Sequence, residues 1–268
     1  MSSALFTENK TLALVPILVL FAVLNTSIKA ICQELPEPIN TGRPDLTQGT
    51  YTVPKGLVQL EAGATLWKLT EEDAELKARA YPELIARIGL LKGLELRLQS
   101  MVQDTLVKES GVSRKVSGLG PIGLGFRLQL WGQEGILPKA ALQSTVTLPV
   151  GDKAVTPEHA EPEFILALAH ELNQKLELTY NLGYRWQEEE PMKSYGLNLA
   201  ADLSDKVKMY IEALGEKQKG QKAERFADLG LLYLLSNNLQ VDIAAGVGLN
   251  KAAPDYFLTS GISVRLPR

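Results

Sequence analysis

The sequence predicts an all-β fold, a transmembrane antiparallel β-barrel of about 12 strands with short periplasmic turns and longer outer loops. Three observations predict it. The chain opens with an export-type apolar run, nearly everything after residue 57 alternates apolar with polar residues at period two, and the connections alternate between short and long.

The apolar run comes first. Lys10 precedes Thr11 to Leu24, followed by polar Asn25-Thr26-Ser27. At about 14 residues the run is shorter than the roughly 20 that a membrane-crossing helix needs, so it reads as a signal for export. Cleavage after Cys32 leaves Ala30 at the minus-three position and Gln33 as the new terminus; cleavage after Ala30, or lipid modification of Cys32, is the alternative. This divides the chain into a signal peptide at 1–32, a Pro-rich periplasmic lead at 33–56 and a barrel at 57–268.

Beyond the lead, the first strand sets Val58, Leu60, Ala62, Ala64 and Leu66 on one face against Gln59, Glu61, Gly63 and Thr65 on the other. Successive strand side chains point to opposite faces, so this pattern is a strand's and not a helix's. The same design recurs over Glu83–Leu90, Leu94–Gln99, Ile122–Leu130 and Leu142–Leu148. It is clearest where Leu176, Leu178, Tyr180, Leu182 and Tyr184 oppose Glu177, Thr179, Asn181, Gly183 and Arg185. Phe164–Leu172 is apolar on both faces, and five further strands lie around Leu197–Leu203, Val207–Ala213, Leu229–Leu235, Val241–Leu249 and Leu258–Leu266. Short connections stand at Lys92-Gly93, Gln133-Glu134-Gly135, Asn173-Gln174, Ser204-Asp205 and Ser236-Asn237-Asn238. Longer polar ones stand near 69–80, 105–117, 151–162, 187–193 and 216–225.

Alternation alone does not say which face is wet, since an exported β-sandwich or lipocalin-like barrel alternates too. The membrane reading rests on composition: aliphatic residues fill one face, while the other carries charge or glycine on almost every strand. Tyr184, Trp186, Tyr195 and Tyr256 fall near one rim, where a barrel's aromatic girdle belongs.

Three stretches carry a family resemblance. Arg43-Pro-Asp-Leu-Thr-Gln-Gly-Thr-Tyr-Thr-Val-Pro-Lys-Gly56 runs into Gln59-Leu-Glu-Ala-Gly63, Gly118-Leu-Gly120 precedes the fourth strand, and Ala253-Pro-Asp-Tyr-Phe257 leads into the last. Together they resemble a family of bacterial outer-membrane transporters named for the meta pathway of phenol degradation, over nearly the whole exported chain. Pro121 departs from an expected acidic residue, and Leu266-Pro-Arg268 lacks the terminal aromatic typical of assembly signals. The resemblance implies uptake of small hydrophobic compounds.

The net charge of -3, from 28 basic and 31 acidic residues, gives no attraction for nucleic acid. One cysteine and two histidines leave no disulfide and no Cys/His zinc site, and no cofactor is implied. Gly118-Leu-Gly-Pro-Ile-Gly123 spells a dinucleotide fingerprint but leads into a strand, where no helix N-terminus can meet pyrophosphate. His170 and His159 raise an outer-membrane hydrolase as an alternative, without a local Ser/His motif. Asp152 and Glu188-Glu-Glu190 could gather cations, but read more simply as a solvated charge run. The candidate site is the set expected to line the lumen: Glu61, Glu83, Arg87, Glu95, Arg97, Arg127, Glu177, Arg185, Asp202, Lys208, Glu212, Asp228, Asp242 and Arg265. Opposite signs should pair across a narrow lumen, because an isolated buried charge is costly. The expected product is a monomer in the cell outer membrane, inserted by the assembly machinery, surrounded by lipid and passing small molecules passively. The competing readings are the hydrolase and a non-conducting structural barrel.

Overall fold

A computed structural model of the chain describes residues 37–71 and 74–267. The signal segment, the Cys32 cleavage or lipidation position and the start of the lead lie outside the described residues. Among the described residues there is no helix. The strands are β1 (Val58–Glu71), β2 (Ala74–Leu91), β3 (Leu94–Glu109), β4 (Val112–Leu119), β5 (Ile122–Trp131), β6 (Lys139–Leu148), β7 (Glu161–Asn173), β8 (Leu176–Gln187), β9 (Glu190–Ser204), β10 (Val207–Gln218), β11 (Glu224–Ser236), β12 (Leu239–Gly248) and β13 (Tyr256–Leu266).

All pairings are antiparallel, and β1 closes on β13 in unbroken register from Val58↔Leu266 to Lys68↔Tyr256. The periplasmic half of β3, Leu94–Gln99, pairs with β5, and its outer half, Val102–Glu109, pairs with β4. β4 and β5 are thus two halves of one position, giving a closed ring of 12. The break falls at Gly120-Pro121, where proline has no N–H to give a ladder. The glycine-rich segment that spelled a nucleotide motif is this break, and the Gly120 amide bonds instead to the Met101 carbonyl at 2.8 Å.

The structure settles the phase of the alternation. Outward leucines are open, with Leu182 61%, Leu229 55% and Leu197 50% exposed, while inward Arg87 and Glu95 are fully buried. A soluble protein reverses this arrangement. In hydrocarbon every backbone polar group must pair within the protein, which the closed ladder supplies. Tyr184, Trp186, Tyr195 and Tyr256 stand at the outer ends of β8, β9 and β13, and Tyr184 packs edge-on against Trp186 at 4.8 Å.

Three expectations are corrected. Most of the polar segments near 69–80, 105–117, 187–193 and 216–225 are strand: β1–β3 and β8–β11 run on past the apolar band, and Ser110-Gly111 and Glu188-Glu189 form two-residue turns. Those extensions are polar on both faces because both meet water, so they lack the alternation that marks a spanning strand. The connection after β6, residues 149–160, is a true loop. Conversely, the Gln133-Glu134-Gly135 turn is longer, spanning 132–138. Finally, residues 37–56 of the lead do not hang in the periplasm; they lie inside the barrel.

Replacing Leu229 with Arg should destabilise the folded barrel by about 2–4 kcal/mol, the cost of a cation on a lipid face near mid-span. Urea unfolding in lipid vesicles measures it; a neutral effect would mean that this face is not in lipid.

Candidate functional site in the barrel lumen

Residues 37–56 form no regular structure, so their backbone groups must find partners elsewhere. They find them on the barrel's inner wall. Near the periplasmic end the Ile39 amide donates to the Asn237 carbonyl at 2.8 Å, and Arg265 donates to the Glu37 carbonyl. The Gly42 amide donates to both oxygens of Glu61, at 3.1 and 3.0 Å. The chain then crosses the lumen, where the Leu46 and Thr47 amides bond Glu212 at 2.8 and 2.9 Å and Gln48 exchanges two bonds with Asn181. It returns past Tyr51, whose hydroxyl donates to Glu177 at 2.8 Å and accepts from Lys139 at 3.0 Å. The Val53 amide donates to Glu95 at 2.7 Å before the chain enters β1.

Arg43 is the lead's own anchor. Its guanidinium donates to Glu83 at 3.0 Å, Thr259 at 2.7 Å and the Ser260 carbonyl at 3.1 Å, and lies 3.6 Å from Asp242. The wall makes room for it at Gly63: a Cβ there would stand 2.1 Å from the Arg43 Cζ. At Gly89, likewise, a Cβ would stand 2.1 Å from the Pro54 carbonyl oxygen.

The predicted lumen residues fall into groups. Arg87 is clamped between Glu61 at 3.0 Å and Glu95 at 2.9 Å, and Arg97 reaches Glu95 at 2.9 Å. Arg87 and Arg97 are register partners, so the intervening carboxylate offsets two adjacent like charges. Arg127 meets no carboxylate; it donates to Gln143, Gln48 and the Tyr51 carbonyl at 2.6, 2.7 and 3.0 Å. Glu212 and Asp228 are buried beside Tyr210. Higher in the barrel, Arg185 lies between Glu216 at 3.3 Å and Glu163 at 4.0 Å. Asp202 and Lys208, 3.5 Å apart and half exposed, border the periplasmic opening. The ion pairs among the predicted residues thus join neighbouring strands instead of crossing the lumen, in the cluster of Glu61, Arg87, Glu95 and Arg97 and at Asp202 with Lys208. At Glu212, Arg127 and Arg265 the lead's amides and carbonyls take the place of a countercharge, whereas neither oxygen of the Asp228 carboxylate has a hydrogen-bond partner among the described residues.

The candidate set omits Arg43, Tyr51, Lys139, Glu163 and Glu216. Glu163 and Lys139 precede the first apolar residue of their strands, Glu216 lies in a segment read as loop, and Arg43 and Tyr51 belong to the lead. A cavity of about 520 Å³ remains between the lead and β8–β11, lined among others by Glu177, Thr179, Asn198, Asp202, Lys208 and Tyr210.

Other chemistry is not assembled. The His170 ring faces Tyr180, 3.3 Å from its hydroxyl, on the outward surface. Asp152 accepts the Leu119 amide at 2.6 Å, His159 lies 3.6 Å from exposed Glu189, and among the described residues no group of acids and histidines is arranged to hold a metal.

Residues 41–266 match the family described as "Putative MetA-pathway of phenol degradation". The chain belongs to this family. No curated protein matches the sequence. Among solved structures, an outer membrane channel from Pseudomonas putida F1 is similar at a TM-score of 0.65 and 13% identity, covering 85% of this chain and 100% of that one. The transport unit of the autotransporter AIDA-I from Escherichia coli is similar at a TM-score of 0.54 and 8% identity, covering 79% and 90%. At these identities the likeness concerns the fold. In this member of the phenol-degradation family, the opening motif from Arg43 to Gly63 is the lumen-filling lead together with the strand whose Glu61 and Gly63 receive it.

Replacing Arg87 with Ala leaves Glu61 and Glu95 without their shared cation and should cost about 3–5 kcal/mol, the scale of breaking a buried ion pair from one side. The urea midpoint of the refolded barrel reads this.

Proposed function

We propose that the chain is an outer-membrane channel for passive uptake of small molecules, including apolar and aromatic ones, with residues 37–56 as its constriction. The observation that carries the reading is a closed cylinder, aliphatic outside and polar inside, whose lead fills part of the lumen and leaves the 520 Å³ cavity beside β8–β11. Passage needs no energy source: that cavity opens at the periplasmic end, and a shift of the lead completes a solute's path from the outer mouth. The inward charges act here both as wall and as the lead's receptor. The family supports small aromatic compounds as the solute class. The closure of β1 on β13, which leaves no edge strand of the spanning ring for a partner, supports a monomer. Its first 32 residues serve as the cleaved export signal, and the assembly machinery inserts the rest.

Deleting residues 37–56 should raise single-channel conductance in planar bilayers several-fold, and liposomes carrying the deleted form should swell faster in both phenols and sugars. Intact protein should favour the phenols. Equal conductance with and without the lead would remove it as the constriction, and no flux from either form would leave a structural barrel. The double substitution of Arg97 and Arg127 by Ala, which removes the Arg127 bonds to Gln48 and Tyr51, should also raise conductance; unchanged currents would refute their part in the constriction.

A further inference from the structure

At the outer rim of β9–β11, charge is sorted by face. Lys193, Lys217 and Arg225 share the outward face of β9–β11 with Leu197, Ile211 and Leu229, and all three are exposed. Their chain neighbours of opposite sign point inward: Glu216 and Glu224 are register partners inside the barrel, where Glu216 meets Arg185. Lys193 and Lys217 are themselves register partners, two like charges directly opposite. A second outward group lies on β1–β4. There Lys68, Lys77 and Lys108 converge on a single carboxylate, Glu75, at 3.3, 3.1 and 4.0 Å. Lys115 lies 3.0 Å from Asp104, which Arg79 also faces in register.

Depth places both groups. Lys193 pairs in register with Tyr184 and Lys68 with Tyr256, so the cations stand at the girdle, where acyl chains give way to headgroups. At the other end the outward face closes on Leu130, Leu172, Leu203 and Leu235, and the lysines there sit in turns. Hydration alone has no reason to prefer this arrangement, since carboxylates hydrate as well as ammonium groups. Facing lysines repel until an anion sits between them.

We infer that the outward face of the outer rim, centred on Lys193, Lys217 and Arg225 with the lysine group around Glu75 as a second point, binds the phosphate groups of lipid A in the outer leaflet. The surface depends on the barrel's outer-membrane placement but not on conduction. Phosphate offers several acceptor oxygens to more than one cation at once, and an interfacial depth screens such contacts less than open water does.

The test uses the full barrel, purified in nonionic detergent and stripped of endogenous lipid. Binding of diphosphoryl lipid A is compared with that of the same lipid after removal of both phosphates, by tryptophan fluorescence in mixed micelles. The phosphorylated form should bind at least about tenfold tighter, in line with several cations each contributing at a charged surface, and the preference should shrink with added salt. The triple substitution Lys193→Gln, Lys217→Gln, Arg225→Gln should abolish most of it while heat-dependent gel mobility stays normal. Should that variant fail to fold, the phosphate and salt comparisons on the intact protein decide. Equal affinity for both lipids, a folded variant that keeps the preference, or equal competition by phosphatidylglycerol would each overturn the inference. Extraction of the protein without detergent would instead remove the membrane placement beneath it.

Discussion

A backbone amide or carbonyl in hydrocarbon has no water to turn to, and this constraint orders the rest of the molecule. It requires β1 to meet β13, and once the ring closes at 12 positions the lumen has a fixed cross-section. Leucine then falls mainly on the outer face, with exceptions such as Leu232 and Leu234 in the lumen. The inner face inherits the polar residues, so Arg87, Glu95, Arg127 and Glu212 are all nine-tenths buried or more. Closure solves the backbone's problem and creates one for the side chains.

The lead is the structure's answer to that second problem. An inner wall rich in carboxylates and guanidinium groups needs both donors and acceptors, and an irregular peptide supplies both along its length. Glu61, Glu95 and Glu212 take its amides, while Arg87, Arg127 and Arg265 give to its carbonyls. The two sides supply each other: the lead has no ladder of its own, and Arg127 and Glu212 on the wall have no ion-pair partner among the described residues. This mutual dependence accounts for glycines beneath the lead, where a side chain at Gly63 or Gly261 would occupy the place of Arg43, one at Gly89 that of Pro54 and one at Gly196 that of Thr47.

The two halves of this arrangement were unequally legible in the sequence. Period-two alternation exposes the spanning strands, because lipid and lumen impose opposite demands on consecutive residues; the inward positions of Glu61, Arg97 and Asp242 follow from it. Outside the apolar band that pressure vanishes, and β1–β3 and β8–β11 continue through segments that look like loops. The interior course of the lead leaves a fainter trace still. Its contacts run largely through backbone groups, which every residue has, so no side-chain pattern distinguishes Leu46 and Thr47 at Glu212 from an extended tail in water. The side chains that do bond the wall, among them Thr41, Arg43, Gln48 and Tyr51, are polar types that an exposed tail would carry as well.

The same physics separates the two rims. Along the spanning part, sign matters only inside, where each buried charge must meet a partner. At the outer ends of β9, β10 and β11 both faces are wet, yet glutamates turn in and cations turn out. Inside, Glu216 and Glu163 hold Arg185 across the mouth, so the inward carboxylates have a structural reason for their sign. The outward cations on β9–β11 have no carboxylate within ion-pair distance among the described residues; Lys217 donates only to the Gln221 carbonyl. A surface whose sign is unexplained by its own protein is explained by what adjoins it, and at girdle depth what adjoins a barrel is the headgroup layer. The lumen and the rim thus follow one rule, that a charge lies where a counterpart lies: for the wall the counterpart is the lead, and for the rim it is the membrane.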